Sequence, residues 1–171
     1  AVTGDFASSV CTGEENICFR ALAAFRDHGG VAGCHSITID KRIPVGAGLG
    51  GGSSDAAVIL RYLNRTSPAP LAETRLAEAA LSLGADVPVC LAGIAQRMQG
   101  IGDILIPVDP VPHGHLVLAR ANVMLPTAKV FQSLRESGSK ESAALRNSEI
   151  LGSVADIIAA GNDLQAAAMS L

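Results

Sequence analysis

The sequence predicts an α+β chain in two parts, and three observations carry that reading. Apolar residues recur at helical spacing in several segments and at strand spacing in His35–Val45. The stretch Gly46–Gly52 holds five glycines in seven positions and runs straight into an apolar segment. Asp109-Pro110-Val111-Pro112 then interrupts the pattern with turn chemistry and is the best candidate domain boundary.

The bulk properties exclude several classes. With 171 residues, 49% of them hydrophobic, the chain can bury a core. A net charge of −3 offers no broad basic surface for nucleic acid. Aromatics are 3% with no Trp, which is poor material for base stacking. No run is long and apolar enough to span a membrane. Cys11, Cys18, Cys34 and Cys90 are scattered without a CxxC, as expected of free thiols in a reducing cytoplasm. Ala1 opens the chain without an initiator Met, and the last helix stops on apolar Leu171. Both ends are expected of a piece of a longer protein.

Taken in order, Ala1–Val10 reads as the end of a strand. Asn16 is placed to cap a helix over Ile17–His28, with Ile17, Ala21, Ala24 and Phe25 on one stripe and Gly29-Gly30 as its stop. In His35–Val45, Ile37, Ile39 and Ile43 share one face, and Ser36, Thr38, Asp40 and Arg42 the other. Lys41 falls on the isoleucine face, so its ammonium either enters a cleft, snorkels to water, or marks a bulge. A helix is expected from Ser53 or Ser54 to Asn64, capped by the serines and broken only by Arg61, hence central and buried. Ser67-Pro68-Ala69-Pro70 is a turn. Leu71–Leu83 is an amphipathic helix ending at Gly84, with Ala72, Leu76, Ala79, Ala80 and Leu83 inward.

Asp86, before Val87-Pro88 and an apolar run, reads as an N-cap of a short helix or the start of a strand. Strands are expected in Gly93–Val108 around the turn Gly100-Ile101-Gly102-Asp103, and again in His115–Arg120. Pro126-Thr127 starts a helix through Glu136, Ser137–Ser142 is polar and flexible, and Asn162–Leu171 is a capped helix with Leu164, Ala168 and Leu171 on one face. His113 and His115 lack a third ligand and read as ordinary loop and strand residues.

Glycines that curl the backbone can turn several N–H groups toward one point. Feeding a helix N-terminus, they make an anion site, since free N–H groups and the helix dipole both favour negative charge. The stretch formally contains GxGxxG, from Gly46 to Gly51. However, the strand before it alternates and the segment around Glu73 is helical, which does not suit a dinucleotide fold. No Lys follows the glycines, so the P-loop pattern is absent. A nucleotide's phosphates are the expected ligand.

Pro44–Ala57, PVGAGLGGGSSDAA, resembles the phosphate-binding motif of the GHMP kinases. Gly4-Asp5-Phe6-Ala7, Asn16 with Arg20-Ala21, Leu83–Pro88, Gly100–Asp103, Leu125-Pro126-Thr127 with Phe131, and Asn162-Asp163-Leu164 agree in order. The triple glycine together with Gly84-Ala85-Asp86-Val87-Pro88 is most similar to the member acting on a cytidine-diphosphate-linked methylerythritol. The resemblance implies a two-domain fold, with an S5-domain-2-like N-terminal part over 1–111 lacking its first strands. The start of a ferredoxin-like C-terminal part is implied over 112–171, truncated. It also implies phosphoryl transfer from ATP, with Mg²⁺, to a small-molecule alcohol in isoprenoid synthesis, with neither nucleic acid nor membrane as partner.

Carried over by position, Pro44, Val45, Gly46, Ala47, Gly48, Leu49, Gly50, Gly51, Gly52, Ser53 and Ser54 would wrap the ATP phosphates, and one of the serines would meet the metal. Lys41 and Asn16 would lie by the base. Asp86 would be the catalytic, substrate-facing carboxylate, and Thr127 and Phe131 would line the cytidine site, with Phe131 stacking on cytosine. The resemblance leaves the metal ligands unassigned. The family's early Lys-Ile-Asn and Gly-Tyr-His segments and its late glycine motif have no counterpart here. The piece alone is therefore expected to be inactive or nearly so. Another GHMP kinase with a different small alcohol, or a non-catalytic nucleotide-binding module, stays open as an alternative.

Overall fold

Four helices carry the core of the first unit, Ala1–Pro107. The computed structural model describes residues 1–109, 111, 113–115, 117–119, 125–137 and 153–171. Helix α1 (Ile17–Asp27) starts where expected: the Asn16 Oδ1 accepts the Cys18 N–H at 2.9 Å, a side-chain N-cap. Cys18, Ala21, Ala24 and Phe25 are its buried stripe. The Phe25 ring lies across Gly30, where any Cβ would collide with it, so the stop after α1 also roofs the core.

Helix α2 (Gly51–Thr66) begins earlier than the serines suggest. Gly50 is its N-cap at φ 64°, ψ 18°, a left-handed conformation that glycine adopts without a Cβ penalty. Ser53 and Ser54 therefore lie inside the first turn rather than capping it. The expectation of an all-round buried helix also fails. Ala56, Ala57, Leu60 and Leu63 are buried, while Val58 is 51% exposed and Tyr62 42%. The helix packs on α1 and two later helices along one face only.

Helix α3 (Glu73–Leu83) starts two residues later than expected. Asn64 explains this: its Oδ1 accepts the Leu71 N–H at 2.6 Å and its Nδ2 donates to the Leu71 carbonyl at 3.2 Å. Both backbone groups of Leu71 are thus committed to the end of α2. Helix α4 (Asp86–Ala92) follows after Gly84. At its C-terminal end, Arg61 donates from Nη1 to the carbonyls of Cys90 and Leu91, each at 3.1 Å. A cation there meets orphan carbonyls and the negative helix end. Arg61→Met is expected to cost about 1 kcal/mol in urea unfolding, since the bonds are solvent-exposed. An unchanged midpoint would make the pairing incidental.

The strands are shorter than the alternation implies. Strand β1 (Val2–Thr3) pairs in parallel with β2 (Ile39–Asp40), and no other part of His35–Val45 is strand. A ladder extends only as far as its partner, and β1 has two residues. The expected hairpin is present: β3 (Gln96–Gln99) pairs antiparallel with β4 (Ile104–Pro107) across Gly100–Asp103.

The core is a contact between helices rich in alanine. Ala21, Ala24, Ala56, Ala57, Ala79 and Ala80 are buried, and Phe25, Leu60 and Val87 are the largest fully buried side chains. Small residues let the helix axes approach, and the few large ones fill what remains.

The second unit is Val108–Leu171. Helix α5 (Thr127–Glu136) spans its expected range. Helix α7 (Leu164–Met169) lies within the expected Asn162–Leu171 segment, with Asn162 Oδ1 accepting the Leu164 N–H at 3.0 Å. Its buried residue is Ala167, on the same face as half-buried Leu164 and Ala168, whereas Leu171 lies past the helix end and is exposed. Helix α6 (Val154–Ala160) was not foreseen. Its signal was legible, since Ser153 and Asp156 form a reciprocal capping box. The described residues of His115–Arg120 form no strand, and 116 and 120 lie outside the described residues. Of the polar Ser137–Ser142 stretch, only Ser137 lies within them.

Candidate active site at the glycine loop

Gly46, Gly48 and Gly50 take φ of 71°, 74° and 64°, alternating with Ala47 and Leu49. Alternate left-handed residues curl the backbone, which only glycine does without strain. A Cβ at any of the three would meet nothing within 4 Å. The glycines are there for conformation, and the space around them is open. The loop delivers the chain into α2, whose first turn has no side-chain cap. The first intrahelical bond runs from the Ser54 N–H to the Gly50 carbonyl at 2.9 Å. The N–H groups of the turn before it have no partner within the helix. Uncapped amides and the positive helix end together suit an anion, and the open curl suits a polyphosphate.

Two elements flank this turn. Ile17 at the start of α1 lies beside Gly52, its Cγ2 3.7 Å from where a Cβ would stand. Lys41 reaches over Gly51, its Nζ 3.7 Å from the corresponding point. The Lys41 side chain is half-buried, and its ammonium comes to the head of α2. Its backbone is held: the Lys41 N–H donates to Thr3 at 2.7 Å, and its carbonyl accepts from Phe6 at 3.1 Å. Gly4 makes that approach possible, because a Cβ there would sit 2.6 Å from the Lys41 carbonyl oxygen. The Gly4–Ala7 motif thus has a structural account.

Cys18, next to Ile17, is buried on α1. Its thiol is pushed up first by burial and then by the Asp55 carboxylate, with Lys41 pulling it back down.

Asn16 is 8% exposed and already engaged: besides capping α1, its Nδ2 donates to the Cys11 carbonyl at 2.6 Å. One amide hydrogen and one carbonyl lone pair remain for a ligand. Asp86 is the first residue of α4, with Ala85 at the cap position, so the capping alternative is not realised. Its exposed side chain makes no hydrogen bond or ion pair among the described residues, and none joins it to the loop. Burial, and then the Asp86 carboxylate, push the Cys90 thiol up, opposed by Arg61.

Thr127 and Phe131 are in the second unit, one helical turn apart on α5. Both are exposed, Phe131 at 46%. A ring so exposed is free to stack. No group of three or more His, Cys, Asp or Glu suits a metal among the described residues, including His113 and His115. Mg²⁺ bound through phosphates and one hydroxyl needs no such cage, and Ser53 and Ser54 stand in the right turn for that. Among the described residues, no helix is long and apolar enough to cross a membrane.

Residues 16–94, which hold this loop, Lys41 and Asp86, match the family described as GHMP kinases N terminal domain. The chain is 47% identical over 133 residues to the 4-diphosphocytidyl-2-C-methyl-D-erythritol kinase of Paramagnetospirillum magneticum, covering 77% of this chain and 46% of that protein. It is 44% identical over 128 residues to the enzyme of the same name from Deinococcus radiodurans, covering 74% and 43%. A crystal structure of 4-(cytidine 5'-diphospho)-2C-methyl-D-erythritol kinase superposes with a TM-score of 0.59 at 33% identity, covering 82% of this chain and 49% of that one. The chain spans about half the length of the curated relatives it matches.

Proposed function

We propose, from the premise that this chain belongs to the GHMP kinases, that the protein carrying it phosphorylates a small-molecule alcohol with ATP. The compound in its relatives' names, 4-diphosphocytidyl-2-C-methyl-D-erythritol, is the substrate we assign, with transfer to its 2-hydroxyl, in the cytoplasm, as a step toward isoprenoids. The observation that carries the reading is the open curl of Gly46, Gly48 and Gly50 running into the uncapped first turn of α2.

In this reading Pro44–Gly50 wraps the phosphates, and the amides of Gly51, Gly52 and Ser53 donate to them. Ser53 or Ser54 would hold Mg²⁺, which when bound would spread the charge of the transferring group. Lys41 has its ammonium over Gly51, so in this reading it meets the nucleotide at the phosphate end, a change from the base-side place that the resemblance implies. Asn16 offers its remaining donor and acceptor to the base. Asp86 takes the proton of the attacking hydroxyl or orients it. Thr127 and Phe131 receive the cytidine, the ring by stacking. Phosphoryl transfer asks for positioning and charge neutralisation more than covalent chemistry, and these groups supply both.

The test is ADP release by the intact protein with the cytidine-linked alcohol, mevalonate and homoserine in parallel. Turnover with the first alone is expected. Turnover only with mevalonate would overturn the substrate, and ATP binding without turnover on any alcohol would make this a nucleotide-binding module. Gly50→Val tests the loop. A β-branched residue at φ 64° costs about 1–2 kcal/mol. The KM for ATP is expected to rise about tenfold as the curl relaxes. A KM that does not move would remove the loop from nucleotide binding.

A further inference from the structure

The turn Gly100–Asp103 has no part in the function proposed above, yet it lies against the residue that precedes Asp86. Gly102 is buried at φ 94°, and a Cβ on it would stand 2.5 Å from the Ala85 carbonyl oxygen and 3.0 Å from its carbonyl carbon and Cα. Backbone against backbone at that distance, at that φ, admits only glycine. The turn is stiff from within. The Gly102 N–H donates to the Gln99 carbonyl at 3.1 Å, and the Ile101 N–H to Asp103 Oδ1 at 3.0 Å. The Asp103 carboxylate lies so close over Gly100 that a Cβ there would collide with it. Strands β3 and β4, paired through Gln99 and Ile104, hold both ends of the turn.

Asp86 needs such support. Its side chain makes no hydrogen bond or ion pair among the described residues, so its place depends on the backbone of α4. That helix has seven residues and is held at its far end by Arg61 on the Cys90 and Leu91 carbonyls. At its near end the Val87 N–H donates to the Gly84 carbonyl at 3.1 Å, and Gly102 lies against Ala85 between them.

We propose that Gly102 is a positioning residue for Asp86: the rigid turn presses on Ala85 and sets where α4 begins, and so where the Asp86 carboxylate stands. This inference rests on the reading of Asp86 as the group that meets the substrate hydroxyl. A displacement of about 1 Å at a reacting group is enough to slow a reaction on the order of a hundredfold.

The experiment is a double-mutant cycle in the intact protein, read by kinetics and by amide hydrogen exchange. Gly102→Ala is expected to lower kcat by about 10- to 100-fold, with the KM for ATP unchanged. On the Asp86→Asn background the same change is expected to cost less than about twofold, because the two act through one group. Exchange of the Val87 amide is expected to quicken, while the amides of α1 and α2 keep their protection. Equal losses on both backgrounds, an unchanged kcat, or exchange raised throughout the first unit would each overturn the proposal. Asp103→Ala, which removes the acceptor of the Ile101 N–H and adds no atom, is expected to give the same pattern more weakly. It serves where Gly102→Ala does not fold. A wild-type protein that phosphorylates no alcohol would sink the kinase reading, and Val87 exchange would still decide whether Gly102 sets the start of α4.

Discussion

Asp86→Asn in the intact protein is expected to lower turnover by about 10²- to 10⁴-fold and to leave ATP affinity within about twofold. Asn has nearly the shape of Asp and is well tolerated around a helix N-terminus, but it cannot take a proton. The structure makes this a clean substitution. Asp86 is exposed, begins α4, and has no hydrogen-bond or ion-pair partner among the described residues to lose. The cost in stability is limited to its favourable interaction with the helix end, about 0.3–1 kcal/mol. A steady-state assay beside a nucleotide-binding titration separates the two effects. Turnover that survives would return Asp86 to an ordinary residue in a helix's first turn.

The largest effect on stability is expected at Phe25. Six alanines line the buried faces of α1, α2 and α3, and each buries little apolar surface. Phe25, Leu60 and Val87 therefore supply much of what the helix contact gains from burial. Phe25→Ala is expected to cost about 3–5 kcal/mol, from lost burial and the cavity left between α1 and Gly30. Against a typical net stability of about 5–15 kcal/mol, that brings the first unit close to unfolding. Urea unfolding followed by circular dichroism measures it. A loss under about 1.5 kcal/mol would mean that the helices close over the vacated space.

Much of the helix framework was legible in the chain. Asn16 before an apolar stripe and glycines after it mark α1, Gly84 marks the end of α3, and Pro126-Thr127 starts α5, each by local chemistry within a few residues. Two of the misreadings share a cause outside the segment itself. The strand expected over His35–Val45 needs a partner of equal length, and β1 offers two residues. The start of α3 is set by Asn64, which holds Leu71 from seven residues away. The serines do not cap α2, because Gly50 in a left-handed conformation starts the helix before them.

The candidate site divides along the same line. Five glycines in seven positions were enough to announce an anion-binding curl at the head of a helix, because conformational freedom and free N–H groups are properties of the chain itself. Where Lys41 points and that Gly102 lies on Ala85 beside Asp86 were decided only when distant segments met. The physical reason is range. Capping, turns and periodicity act over a few residues and can be read in line, whereas a close approach between backbones depends on packing that no single segment encodes.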